Sequence, residues 1–306
     1  MRALPRAFAL MGREKDGSRR VRDSQATGIM LLLLAIFVFT LMDATAKHLS
    51  ARYPAPMIVW MRFVVNAALI LLVLGPRLRH HIRSSQPLLQ IGRGITQIGS
   101  VGLFFSSLTF IGLAEATAIM DINPVLITLG AAVFLGEKIG LRRIIGILVA
   151  LAGALIIIRP GAGVFHPAAI LPLIGAFSYA AGAIMTRMVR GDSTATSILW
   201  STSVGTVLSS IAVPFFWTPI AAGDWWAFIA IGLLGSVAQA LLIKAFSMAE
   251  AGAVAPFGYT GLIWAGLWGW LFFGTIPDGW TLAGAAIIVA AGIYVWAREA
   301  KSMRSE

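Results

Sequence analysis

Apolar residues run along this chain in long blocks rather than in amphipathic stripes. Several blocks reach about 20 residues, the length a helix needs to cross the hydrocarbon core of a bilayer. Gly, Pro and charged residues punctuate them, which predicts ten helices near residues 27–47, 55–75, 91–112, 115–135, 142–159, 168–188, 194–216, 226–245, 251–273 and 281–298. A membrane β-barrel is excluded, because its strands would alternate polar and apolar residues and these blocks do not. The expected fold class is an all-α membrane protein with ten transmembrane helices. Composition agrees: of 306 residues, 58% are hydrophobic and 12% charged, and mean hydropathy is +0.85. A soluble domain carries about 25% charged residues.

The formal charge of +11 would by itself suit nucleic acid or anionic lipid. Its placement makes it a topology signal instead. Residues 1–26 hold seven basic and three acidic side chains with Phe8 as the lone aromatic, so they read as a disordered basic tail rather than a nucleic-acid-binding segment. The apolar run that follows continues for a full span without a small-residue cleavage site, so the first helix is expected to stay on the protein. With the N-terminus in the cytoplasm, cytoplasmic segments hold 20 of the 24 Lys and Arg, external ones hold Lys47, Arg52 and Arg159, and Arg62 lies within a helix. Both tails, 1–26 and 300–306, are therefore expected in the cytoplasm. The expected surroundings are a lipid bilayer, nucleic acid is not a partner, and the oligomeric state is not legible.

The two halves resemble each other. Ala114-Glu115-Ala116 recurs as Ala249-Glu250-Ala251, Phe134-Leu135-Gly136 as Phe272-Phe273-Gly274, and Phe37 and Lys47 match Phe177 and Arg187. The offsets stay between 135 and 140 residues, the length of five helices with their loops. An odd number of helices per copy forces the copies into opposite orientations, the inverted-repeat architecture of secondary transporters. The repeats are expected over 27–160 and 161–299, with Asp121 aligned to Pro256 and Asp43 to Ala183.

The block over residues 114–161 is similar to the C-terminal three-fifths of an EamA repeat of the drug/metabolite transporter superfamily. Pro124, Leu135-Gly136-Glu137 and Arg159-Pro160-Gly161 carry the likeness, and Gly274-Thr275 stands where the second half would have its Gly-Glu step. The resemblance implies two inverted five-helix repeats, a central cavity between them, and movement of small organic solutes across a bacterial inner membrane. Residues 42–47, and 255–259 with Ile263-Trp264-Ala265, look most like members that import riboflavin or S-adenosylmethionine.

Ionisable groups inside the membrane are the sharpest functional signal, since each costs about 3 kcal/mol unless paired or wet. Asp43, Arg62 and Asp121 all fall roughly 6–11 Å below the outer surface at the rise of a helix. They are expected to form one network, which either pins helices together or meets a substrate or coupling proton. Lys47 and His48 lie close enough to the interface to snorkel. Pro124 and Pro256 interrupt corresponding helices and mark either a midplane site and hinge or a plain kink. On the ninth helix Phe257, Gly261, Trp264 and Trp268 share one face. Trp268 and Trp270, placed toward the cytoplasmic end, read as packing or an interfacial belt. Trp264 lies mid-bilayer, where stacking on a planar ligand is the alternative to packing. Tyr179, Gln97, Gln239 and Tyr259 would add hydrogen bonds to such a ligand, although polar residues also join membrane helices.

No cysteine, no G-x-x-x-x-G-K-[ST], no H-E-x-x-H and no G-x-S-x-G occurs, so no metal, cofactor, ATP hydrolysis or catalytic residue is expected. Glu137 beside Lys138 and Arg142 reads as a loop salt bridge, and His80-His81 lie in a basic loop. The function expected is alternating-access transport of a small organic metabolite, with riboflavin uptake as the narrow reading. S-adenosylmethionine uptake and amino-acid or metabolite export are alternatives. An intramembrane lipid-modifying enzyme is the rival from another class.

Overall fold

The computed structural model describes residues 4–75, 78–136, 141–159, 166–189, 191–248 and 255–302, with side chains at all of these except 4–25, 141–143, 255–256, 295–296 and 298–302. Ten spans are built from α1 (Leu4–Ser50), α2 (Ala55–Leu74), α3 (Pro87–Leu108), α4 (Leu113–Met120), α5 (Asn123–Leu135), α6 (Leu141–Ile158), α7 (Ile170–Met188), α8 (Thr194–Ala212), α9 (Trp225–Met248), α10 (Thr260–Phe273) and α11 (Gly279–Ser302). Helices α4 and α5 together make the fourth span, and a 3-10 turn over Ala255–Tyr259 leads into α10 as the ninth. Among the described residues six spans are individually long and apolar enough to cross a membrane. Among the described residues there is no strand.

Three boundaries differ from expectation. The basic tail is helical from Leu4 and continuous with the first span, not irregular; a span already formed propagates a helix through good formers such as Arg, Lys, Glu and Ala. Helix α3 starts at Pro87 rather than near 91, because Pro in the first turn has a preset φ and needs no donor there. The fourth span breaks two residues ahead of its proline, at Asp121 and Ile122, and Asn123-Pro124 opens α5 as a new helix.

Repeat symmetry is visible in caps and packing. Gly136 ends α5 at φ +71° and Gly274 ends α10 at φ +63°, a left-handed conformation that only glycine adopts without cost. These caps set the register of the two halves at 138 residues. Asp121 therefore corresponds to Tyr259, not to Pro256, because a two-residue turn in one copy stands where the other has a five-residue 3-10 segment. Under exchange of each span with the fifth one after it, the pair α1–α9 becomes α3–α7, α2–α9 becomes α3–α8, and α1–α10 becomes α5–α7. All of these pairs are in contact, while α2–α8, α4–α10 and α6–α11 map onto themselves. Single contacts repeat too: a methyl on Gly94 would come within 2.5 Å of Val204, and one on Gly232 within 2.3 Å of Val65. Gly153 and Gly284 face each other where α6 and α11 cross, each leaving room for the other's carbonyl.

The α2–α8 pair and the segments flanking its two ends form a polar seam from one face to the other. On the far face, where α1 ends, Tyr53 donates to Asp224 Oδ2 at 2.8 Å and accepts from the Ala221 N–H at 3.0 Å. Arg52 adds an ion pair to Asp224 at 3.3 Å. Deeper in, Trp60 Nε1 donates to Ser210 at 3.0 Å, Thr206 reaches the Phe63 carbonyl at 3.2 Å, and Gly205 makes room for the Phe63 ring. On the tail face Asp192 accepts from Ser84, from the N–H and hydroxyl of Ser85 at 2.8 Å each, and from Gln90 Nε2 at 2.8 Å. Those donors, Ser84 first, hold the Asp192 carboxyl well below the usual carboxylate range. Tyr53 and Asp192 are 139 residues apart, as are Ser85 and Asp224. The two clasps are thus one contact repeated on opposite faces, with the acid moved to the other partner.

Candidate functional site

The three membrane charges do not form one network. Asp43 and Arg62 lie within electrostatic reach of each other, and the Arg62 guanidinium sits 5.6 Å above the Phe105 ring. A methyl on Gly235 would lie 3.5 Å from Arg62 Nε, so Arg62 is enclosed by α1, α2, α3 and α9. Asp121 lies elsewhere, in the turn between α4 and α5, with Tyr259 of the ninth span as its electrostatic neighbour.

That second cluster is unusual in what it lacks. Five buried side-chain atoms have no hydrogen-bond partner among the described residues: Thr117 Oγ1, Asp121 Oδ2, Asn123 Oδ1, Tyr259 OH and Ser201 Oγ. Four of them belong to the two helix breaks. Thr117 and Asp121 are one turn apart on one face of the fourth span. Tyr259 occupies the equivalent place in the ninth and is held over Gly292 of α11, where a methyl would come within 1.6 Å of its hydroxyl. Buried polar groups are nearly always satisfied, so these four orphaned atoms make the two breaks the candidate place for something else to bind. Thr117 and Asn123 escaped the sequence reading. The Asn-Pro step was their available signal, since it favours a turn.

Other expected residues fall as follows. The aromatic face of the ninth span covers α1. Phe37 meets Trp264 at 5.0 Å and Trp268 at 5.4 Å, edge to face. Trp268 Nε1 donates to Thr40 at 3.2 Å, and Phe257 packs with Leu32 and Ala245. Trp264 is half-buried within this stack. Trp270 is exposed, and it lies on the far face rather than at the tail-face end: beyond α10, Asp278 pairs with Arg159 at the end of α6 at 2.6 Å. Lys47 does not snorkel. It donates to the carbonyls of Leu108 and Ile111, the latter at 2.8 Å, and so caps the C-terminal end of α3. His48 is exposed with its ring 6.1 Å from Trp226. Tyr179 keeps 48% of its surface open. It stands one turn from Gly175, which abuts Met120 beside Asp121. Gln97 and Gln239 are half-buried in α3 and α9. Pro124 opens α5 and Pro256 lies in the 3-10 turn, so both prolines sit at breaks. Glu137 and Glu250 fall outside the described residues.

Two open crevices lie elsewhere and are apolar. One of about 260 Å³ lies between α5 and α7, lined by Phe134, Phe177 and Ile184. Its repeat-equivalent place is filled by Trp264 and Trp268 against Phe37.

Two inverted five-span repeats whose fourth and ninth spans break opposite each other define a multi-pass protein of the kind that secondary transporters build. The EamA-like transporter family matches at residues 26–159 and 166–297, one match to each repeat, and the chain belongs to that family. It is 31% identical over 279 residues to the pseudopaline exporter CntI of Pseudomonas aeruginosa, covering 89% of this chain and 97% of the relative. It is 27% identical to a riboflavin transporter of Vibrio cholerae, covering 91% and 96%. It is also 27% identical to an S-adenosylmethionine uptake transporter of Rickettsia bellii, covering 90% and 95%. A solved crystal structure 18% identical superposes with a TM-score of 0.60 over 89% of this chain and 96% of its own, so the two share a fold.

Proposed function

We propose that the protein is a secondary transporter of the bacterial inner membrane that carries a small organic solute by alternating access. Its repeats occupy 27–160 and 161–299, and both termini face the cytoplasm. The observation that carries this reading is the pair of facing helix breaks with four unpartnered polar atoms at the junction of two inverted repeats. An uptake transporter and an exporter both align over nearly the whole chain, so the reading names no direction.

Riboflavin uptake is the narrow reading, and relatives named riboflavin transporters support that solute without giving a direction. The geometry supports it less, because the rings of that face pack on α1. The test is accumulation of solutes from a bacterial metabolite extract by vesicles holding the purified protein. Solute gained over protein-free vesicles, and lost in Arg62→Ala, is the expected result. Vesicles that accumulate nothing would overturn the transporter reading.

A further inference from the structure

The identity of the solute's polar group can be argued from the same breaks, on the basis of the transporter reading above. Each of the four unpartnered atoms can accept a hydrogen bond. Asp121 Oδ2 and Asn123 Oδ1 only accept hydrogen bonds, and the hydroxyls of Thr117 and Tyr259 are able to accept. Pro124 adds to this, because it has no N–H to give the Met120 carbonyl one turn earlier. Cations are missing from the group: among the described residues none lies within electrostatic reach of Asp121, whereas Asp43 has Arg62. A carboxylate in a low-dielectric setting needs a cation beside it, and the chain supplies none here.

We infer that Asp121, Asn123, Thr117 and Tyr259 bind a protonated amine of the transported solute. A primary or secondary ammonium brings two or three donors and one positive charge, which matches a set of acceptors around one carboxylate. Tyr259 positions the group from the opposite repeat, and Gly292 fixes Tyr259. The substrate class is therefore an amine-bearing metabolite. S-adenosylmethionine carries such a group and riboflavin carries no basic amine, so the inference separates the two.

The experiment uses the full-length protein in vesicles and a bacterial metabolite extract, untreated or with its amines acetylated by acetic anhydride. Mass spectrometry identifies what accumulates. The expected result is that the accumulated solutes carry a basic amine and that acetylation abolishes their uptake. Asp121→Asn is expected to lower uptake about a hundredfold and Tyr259→Phe about tenfold, both with unchanged thermal unfolding. Accumulation of solutes without an amine, or uptake by Asp121→Asn equal to wild type, overturns the inference while the transporter reading stands. So does an Asp121→Asn variant that keeps uptake and loses only its pH dependence, which would make the carboxyl a proton site. If the wild type accumulates nothing, the transporter reading itself fails.

Discussion

The α2–α8 seam and the facing breaks of the fourth and ninth spans both put polar side chains where a membrane protein can least tolerate them, yet they treat them oppositely. Along the seam hydroxyls, an indole N–H and two aspartates are matched across the repeats, and the bonds continue from one face to the other. At the breaks a carboxylate, an amide and two hydroxyls are gathered and left unmatched. Satisfied polar groups join membrane helices and specify their register. Unsatisfied ones cost stability, which makes the breaks the candidate place for a ligand. One exception, Ser201 in α8, has no physical account in the structure.

The sharpest way to break this contrast is to attack the aromatic face of the ninth span, from which sequence offers Trp264 to a planar ligand and which the structure packs on α1. Trp268 is buried between Phe37 and Phe272 and bonded to Thr40. Trp268→Ala should lower unfolding stability by about 3–5 kcal/mol, read by thermal melting in detergent. A large loss of affinity without a change in melting would move the ninth-span aromatics back into the site. Gly292→Ala tests the other side. Its methyl collides with the Tyr259 hydroxyl, so uptake should fall about tenfold, the value of one lost hydrogen bond. In a Tyr259→Ala background the same change should cost nothing more; additive losses would separate Gly292 from the site.

The smallest effect concerns the tail-face clasp. Asp192 has a depressed pKa when folded, so its contribution is fully present above the unfolded value of about 3.9 and is lost as pH falls toward the lower folded value. Melting should therefore be insensitive to this group between pH 5 and 7 on that basis and decline below about pH 4. Asp192→Asn should melt slightly lower at pH 7 and show a shallower acid decline. An equally steep decline in the variant would assign the acid sensitivity to other carboxylates.

Sequence made much of the architecture legible. Long apolar blocks, an odd repeat length and Phe134-Leu135-Gly136 against Phe272-Phe273-Gly274 announced the inverted repeats, because span length and a glycine cap are local physics. The site was half legible. Asp121, Tyr259 and the two prolines stood out as a buried charge and helix breaks. The register that pairs Asp121 with Tyr259 did not, since the breaks differ in length and only the caps reveal it. Nor could Trp264 be assigned, because an apolar ring serves packing and stacking alike. The seam was invisible: Tyr53 and Asp224 are 171 residues apart, and nothing local marks a Tyr or Ser near a span end as half of a clasp.

Site-directed labelling tests the contrast between a matched seam and an unmatched site most directly, and a chain without cysteine permits it cleanly. Single cysteines would be placed at Thr117, in the fourth-span cluster, and at Ser209, buried in the seam and bonded to the Gly205 carbonyl at 2.6 Å. Each protein would be exposed to a small thiol reagent with and without the metabolite extract. The expected result is that Thr117→Cys is modified and that the extract slows its modification about tenfold, a shift of one decade for about 1.4 kcal/mol of binding. Ser209→Cys should stay unmodified in both conditions. Unchanged labelling of Thr117→Cys in the extract, or labelling of Ser209→Cys as fast as that at 117, would contradict the account.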